Sequence, residues 1–152
     1  MDERLNHAPC GYLSLSEDNT ILTVNETLLQ LLGFDLQGLR DCHIESILTR
    51  SSRILFQLYF MPLIKLNGKI EEMFLILQSA SGAEVPVLLN AVRREQDGVP
   101  VHDCILMVMR RRMEYEEQIY VAEQAAKKAG EELKRLEAAL TKKQNELSSQ
   151  LE

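Results

Sequence analysis

An α+β domain of about 100 residues followed by one long helix is the architecture this sequence predicts. Three observations carry it. Near the start, "GYLSLSEDNTILTV" alternates apolar and polar residues about a polar turn, as a half-buried hairpin does. After Gly68, "IEEMFLILQ", "EVPVLLNAVRRE" and "VHDCILMVMRR" follow one another as strand-like stretches. From residue 113 to residue 152 there is no proline and a single glycine, Gly130, while Ala, Glu, Lys, Gln and Leu dominate, which predicts a continuous helix. Strands and helices grouped in blocks, with helices between two sets of strands, predict helices lying on one face of an antiparallel sheet.

The elements follow in order. In the hairpin, Leu13 and Leu15 alternate with Ser14 and Ser16, "EDNT" turns the chain, and residues 21–24 resume β-branched and apolar side chains. Asn25 then stands before a short leucine-rich helix as an N-cap, its side-chain oxygen able to accept from a free backbone N–H, and Glu26 suits the positive helix end. Leu28, Leu29, Leu31 and Leu32 crowd one side of that helix, and Gly33 provides the left-handed stop. Leucine offers no acid, base, nucleophile or metal ligand, so this helix builds a wall rather than carrying chemistry. "DLQGLRDCHIESIL" reads as one or two further helical turns. Ser51 or Ser52 is the expected cap of a longer helix over residues 53–66, where Leu55, Phe56, Tyr59, Phe60 and Leu63 recur at helical spacing. Pro62 inside it predicts a kink or restart. The three strand stretches are separated by "SASGA" and "QDGVP", whose Ser-Gly and Asp-Gly steps favour tight turns.

A hairpin leading to "VN", a short helix ending "LLGF", a "DLQGLRD" segment and a terminal meander with a glycine turn resemble a PAS domain. The resemblance spans about residues 8–113 and rests on Asn25, Gly33, Phe34, Gly38 and the Ser81-Gly82 turn, taken with the order of elements. It places a PAS domain at residues 8–112 and a coiled-coil signalling helix at residues 113–152. It implies a five-stranded antiparallel sheet in the order 2-1-5-4-3, with helices closing over one face to form a sensory pocket that regulates an attached output domain.

The interior position of that pocket falls to Phe56, Tyr59 and Phe60 on the long helix, facing Leu75, Leu77 and Cys104 on the sheet, with Asn90 and the Tyr59 hydroxyl as polar anchors. The expected ligand is small and apolar; the competing reading is a core filled by its own side chains, since close packing is the rule for interiors. Flavin-binding photoreceptors of the superfamily carry an "NCRFLQ"-like stretch, which nothing here matches, and haem-binding members place a histidine on the long helix, which "RILFQLYFMPLIKL" lacks. No cofactor is therefore expected. His7, His43 and His102 are scattered, each read as a surface or hydrogen-bonded residue; Cys42-His43 could contribute two ligands to a metal or haem, but no regular Cys/His spacing supports that, and haem on His43 would depart from the family pattern. No nucleophile stands beside a base, no paired carboxylates stand out, and no phosphate-cradling glycine loop occurs, so the expectation is a non-enzyme.

Two features point to partners. Met73, Leu75 and Leu77 alternate with Phe74 and Ile76, and "CILMVM" repeats the pattern, so both sheet faces are apolar; the face without helices must be hidden by a flanking helix or a second subunit. In the C-terminal stretch Ile119, Ala126, Leu133, Leu140 and Leu147 recur every seventh residue, with Ala122, Ala129 and Leu136 between them, although Lys143 and Gln150 weaken the seam. A lone polar helix lacks the burial that normally sustains it, so a homodimer is expected.

Charge and composition close off other classes. A net charge of -6 with a pI near 5.2 speaks against a nucleic-acid or anionic-membrane binder, and the run Arg110, Arg111, Arg112 reads as solvated charge. Cys10, Cys42 and Cys104, an odd and scattered set in a chain that opens without a secretory leader, fit a reducing cytoplasm. The apolar runs fall short of the roughly 20 residues that cross a bilayer. The first functional reading is a sensory and dimerisation module of a bacterial signalling protein, coupled through its coiled coil to a histidine kinase, diguanylate cyclase or phosphatase. The Asp-x-Thr junction frequent in the family is replaced here by "MRRRMEYEEQ". The second reading is a free-standing interaction protein that pairs chains without a ligand.

Overall fold

The computed structural model describes residues 1–151; the side chains of Arg112 and Met113, and Glu152 at the end of the expected signalling helix, lie outside that description. The chain divides into two units, Met1–Arg110 and Arg111–Glu152.

The first unit is built on a five-stranded antiparallel sheet of β1 (Gly11–Ser16), β2 (Ile21–Val24), β3 (Lys69–Gln78), β4 (Glu84–Gln96) and β5 (Val99–Val108), in the order β2-β1-β5-β4-β3 that the PAS resemblance implies. Four short helices precede or cover it: α1 (Glu3–Asn6), α2 (Glu26–Leu32), α3 (Leu36–Leu39) and α4 (Arg50–Leu55), with a 3-10 turn at Ile44–Ile47. A π-helical turn, Phe56–Phe60, joins α4 to α5 (Met61–Asn67).

Asn25 shows how one residue organises the N-terminal third. Its Oδ1 accepts from the Leu28 N–H at 3.0 Å, capping α2, and from the Tyr12 N–H at 2.9 Å. Its Nδ2 donates to the Leu5 carbonyl at 2.9 Å and the Cys10 carbonyl at 3.0 Å. The side chain is fully buried with its hydrogen-bonding groups engaged, which is the condition for an amide in an interior. Gly33 closes the same helix at φ 74°, a left-handed conformation that costs a side chain dearly and glycine nothing.

The long helix differs from its sequence expectation. It begins at Arg50, not Arg53, and Thr49 occupies the N-cap position without a side-chain cap bond. Neither Ser51 nor Ser52 caps it; the Ser52 hydroxyl instead accepts from the Ile76 N–H of β3 at 2.8 Å. Pro62 lies in the first turn of α5, where a missing N–H costs little, and the π-turn stands immediately before it, with the Met61 N–H reaching back to the Phe56 carbonyl.

Residues 41–52 act as a strap from one sheet edge to the other. At the β2 edge the Ile21 N–H donates to the Cys42 carbonyl at 2.8 Å and the Asp41 N–H donates to the Ile21 carbonyl at 2.9 Å. At the β3 edge the Thr49 N–H donates to the Ile76 carbonyl at 3.0 Å, and Leu48 bridges Leu77. Between these ends Ile44, Ile47 and Leu48 are buried in the core. The remaining half of the β3 edge is broken by a bulge between Ile70 and Met73, where Glu72 sits at φ 55° and its N–H is taken up by Asn90 Oδ1 at 2.6 Å.

The second unit is made by α6, which starts at the last residue of the first unit and runs Arg110–Leu151, a helix of 42 residues and so about 63 Å long.

Candidate functional site

The space between the α4 to α5 segment and the sheet is the candidate interior site. Phe56 and Phe60 enter it from the π-turn, stacked with ring centroids 4.3 Å apart and planes inclined by 14°. Leu75 and Leu77 from β3 and Cys104 from β5 meet the same core, all fully buried. Burial pushes the Cys104 thiol far above its usual range, so it packs as a small apolar group and supplies no thiolate.

Two residues assigned to this site from sequence do not reach it. Tyr59 is 53% exposed. A π-turn holds more residues than an α-turn, so the residue four along from Phe56, Phe60, stays on the inward face and the residue three along is carried onto the flank. Leu55 and Leu63, read as part of the same apolar face, are 39% and 38% exposed, while Ile64 takes the inward position. Asn90 is exposed because Val85, Val87, Leu89 and Ala91 of β4 point inward and the strand's period of two sends Asn90 to the other face.

A buried polar pair that sequence reading missed borders the same interior. His102 on β5 is 1% exposed and its Nδ1 lies 3.2 Å from Oδ1 of Asn19, itself fully buried in the β1–β2 turn at φ 63°. The Asn19 Nδ2 donates to the Met61 sulfur. The His102 ring meets Phe60 edge-on at 5.9 Å. Strand alternation was the available signal: His102, Cys104 and Leu106 share one face of β5.

Desolvation, reinforced by the positive field of Arg93, lowers the His102 pKa; Glu17 opposes this and Lys65 adds to it. The unfolded state therefore binds a proton that the folded state resists. The stabilising contribution is complete above the unfolded value near 6.5 and is lost as pH falls below it toward the folded value. Denaturant titrations from pH 7.5 to pH 5 are expected to show the wild type losing up to about 1.4 kcal/mol per pH unit relative to His102→Gln. Parallel profiles for the two proteins would contradict the assignment.

Other features lie outside the interior. Cross-strand rows place Phe74, Leu88 and Met107 together, and Asn90, Ile105 and Tyr12 together, on the outer sheet face, with Ile76 beside Pro86. Phe74 is 41% exposed and Ile76 partly so. On that face the Tyr12 hydroxyl donates to Asp103 at 2.8 Å and Arg94 pairs with the same carboxylate. Burial and the Asp103 contact push the Tyr12 pKa up to about 12. A groove of about 820 Å³ runs between the outer flank of α4 and α5 and strand β3, lined by residues that include Leu55, Tyr59, Leu63 and Phe74. Along α6, Ile119, Ala122, Ala126, Ala129, Leu133, Leu136, Leu140 and Leu147 are all exposed. Among the described residues no group of three or more His, Cys, Asp or Glu is placed to hold a metal, and no helix is long and apolar enough to cross a membrane.

A five-stranded antiparallel sheet in this order, with helices over one face and a buried interior between them, defines the PAS fold, and the first unit of the chain has that fold. A PAS domain from a two-component sensor histidine kinase superposes with a TM-score of 0.59 at 16% identity, over 68% of this chain and 87% of that one. The PAS domain of a LuxR-family transcriptional regulator from Burkholderia thailandensis, solved in complex with ethanol, gives 0.59 at 12% identity, over 72% of this chain and 98% of that one. In sequence the chain is 42% identical over 126 residues to phosphoserine phosphatase RsbP of Bacillus subtilis (strain 168), a match that covers 83% of this chain and 31% of that protein. No family model matches the chain.

Proposed function

We propose that the protein is a non-catalytic sensory and dimerisation module of a bacterial signalling protein, acting in the cytoplasm, in which the state of the PAS interior is passed through paired α6 helices to an output domain. The observation that carries this reading is α6 itself: 42 residues of helix whose seven-residue apolar series is exposed in the single chain. Isolated helices draw most of their stability from packing, so such a seam calls for a second copy. Identical sensors and identical outputs at the two ends favour a parallel pair. The similarity to RsbP favours a phosphatase over a histidine kinase or diguanylate cyclase as the output. That a domain of the same fold from Burkholderia was solved in complex with ethanol is consistent with a small neutral ligand for this chain.

The second reading, ligand-free pairing of chains, is favoured by the stacked and fully buried Phe56 and Phe60, which fill the interior from the helix side. Native mass spectrometry of protein taken from its own cells, compared with the denatured mass, separates the two. A dimer with a retained small molecule supports the first, a dimer at the bare polypeptide mass the second, and a monomer contradicts both. The absorption spectrum of the same sample is expected to lack flavin and haem bands; a Soret band with stoichiometric iron would overturn the cofactor expectation.

A further inference from the structure

We infer that His102 is the polar anchor of the interior site and that its ligand is a small neutral molecule bearing a hydroxyl or amide hydrogen-bond donor. The inference rests on the sensory reading above and adds the chemistry of what is sensed.

The hydrogen-bond pattern assigns the imidazole its roles. Asn19 Oδ1 is the atom that faces His102 Nδ1. An oxygen only accepts, so the proton of the neutral ring is on Nδ1, donated across 3.2 Å, and Nε2 keeps a free lone pair. Nε2 is buried and meets no hydrogen-bond partner among the described residues. A buried acceptor left unmet is costly, and the chemical complement of a neutral imidazole lone pair is an O–H or N–H group.

The surroundings narrow the class. The ring meets Phe60 in a T-shaped contact beside the apolar core, so the body of the ligand is apolar. Arg93 and Lys65 bring positive charge toward His102, and the Glu17 carboxylate that opposes them is paired with Arg93 at 3.1 Å, which disfavours an ammonium donor. An ionised carboxylate has no donor to offer and loses its hydration on entry. A neutral alcohol or amide remains. Met61, half-buried at the first position of α5, is the side chain suited to give way: an unbranched thioether repacks at low cost, and its movement would release the Asn19 amide at the same time.

The test uses the full chain with 15N-labelled histidine and two probes of similar size, 1-butanol and 1-chlorobutane, of which only the first carries a donor. Saturable movement of the His102 Nε2 resonance with 1-butanol and none with 1-chlorobutane is the expected result. His102→Leu is expected to bind 1-butanol about tenfold more weakly, with His102→Gln, whose amide oxygen restores an acceptor, recovering part of the loss. Should His102→Leu not fold, the two probes on the wild-type protein decide the matter alone. If both probes bind equally and the substitutions change neither, the interior ligand site stands and His102 is not its anchor. If neither probe binds saturably, the inference falls together with the ligand site, and Nε2 is served by water.

Discussion

Phe56→Ala is expected to lower the stability of the PAS unit by about 3–5 kcal/mol, the range for truncating a fully buried aromatic ring. Phe56 has no exposed surface and stacks on Phe60 at 4.3 Å, so its loss opens a cavity and removes one side of an aromatic pair in the same step. The neighbouring Tyr59→Ala, at 53% exposure, should change stability by no more than about 0.5 kcal/mol. Urea titrations followed by circular dichroism give both numbers. Equal effects at the two positions would mean that the π-turn does not sort them as described.

Replacing Leu136 and Leu140 together with glutamate is expected to weaken the dimer by at least about a thousandfold while leaving the PAS fold intact. Each leucine buried in a seam is worth about 1.5–3 kcal/mol, and a homodimer loses four of them. The effect is placed here because Ala122, Ala126 and Ala129 would bury little surface in a paired helix, which would leave Leu133, Leu136 and Leu140 as the anchor of the seam and the stretch before them adjustable. Sedimentation of the two proteins measures it. A dimer unchanged by the double substitution would move the pairing to the outer sheet face, to Phe74 and Ile76; a monomeric wild type would remove helix-borne coupling altogether.

What was legible in the sequence was what local chemistry decides. The Asn25 cap, the Gly33 stop and the strand turns are set by residues a few positions apart, and the alternation of β3 separates Leu75 and Leu77 from Phe74 and Ile76 without knowledge of any partner. Phe56, Phe60 and Cys104 were found as interior residues on the same grounds. Tyr59 was misplaced because helical spacing assumes a regular turn, and the π-turn before Pro62 redistributes the flank. Asn90 was misplaced because polarity was weighed above period. Ser52 was read as a cap for its own helix when its hydroxyl serves the Ile76 N–H, 24 positions away. The pairing of His102 with Asn19 joins residues 83 positions apart, and no local pattern announces such a contact.

The strap from Asp41 to Ser52 bears on how this protein behaves when concentrated. An uncovered strand edge is a template on which further chains add one after another, the route to fibres. Here the chain has already occupied part of each template with its own backbone, at Ile21 on one side and Ile76 on the other, and Glu72 spoils the regular spacing of what is left. Association by side chains stays open while open-ended growth by strand addition is disfavoured.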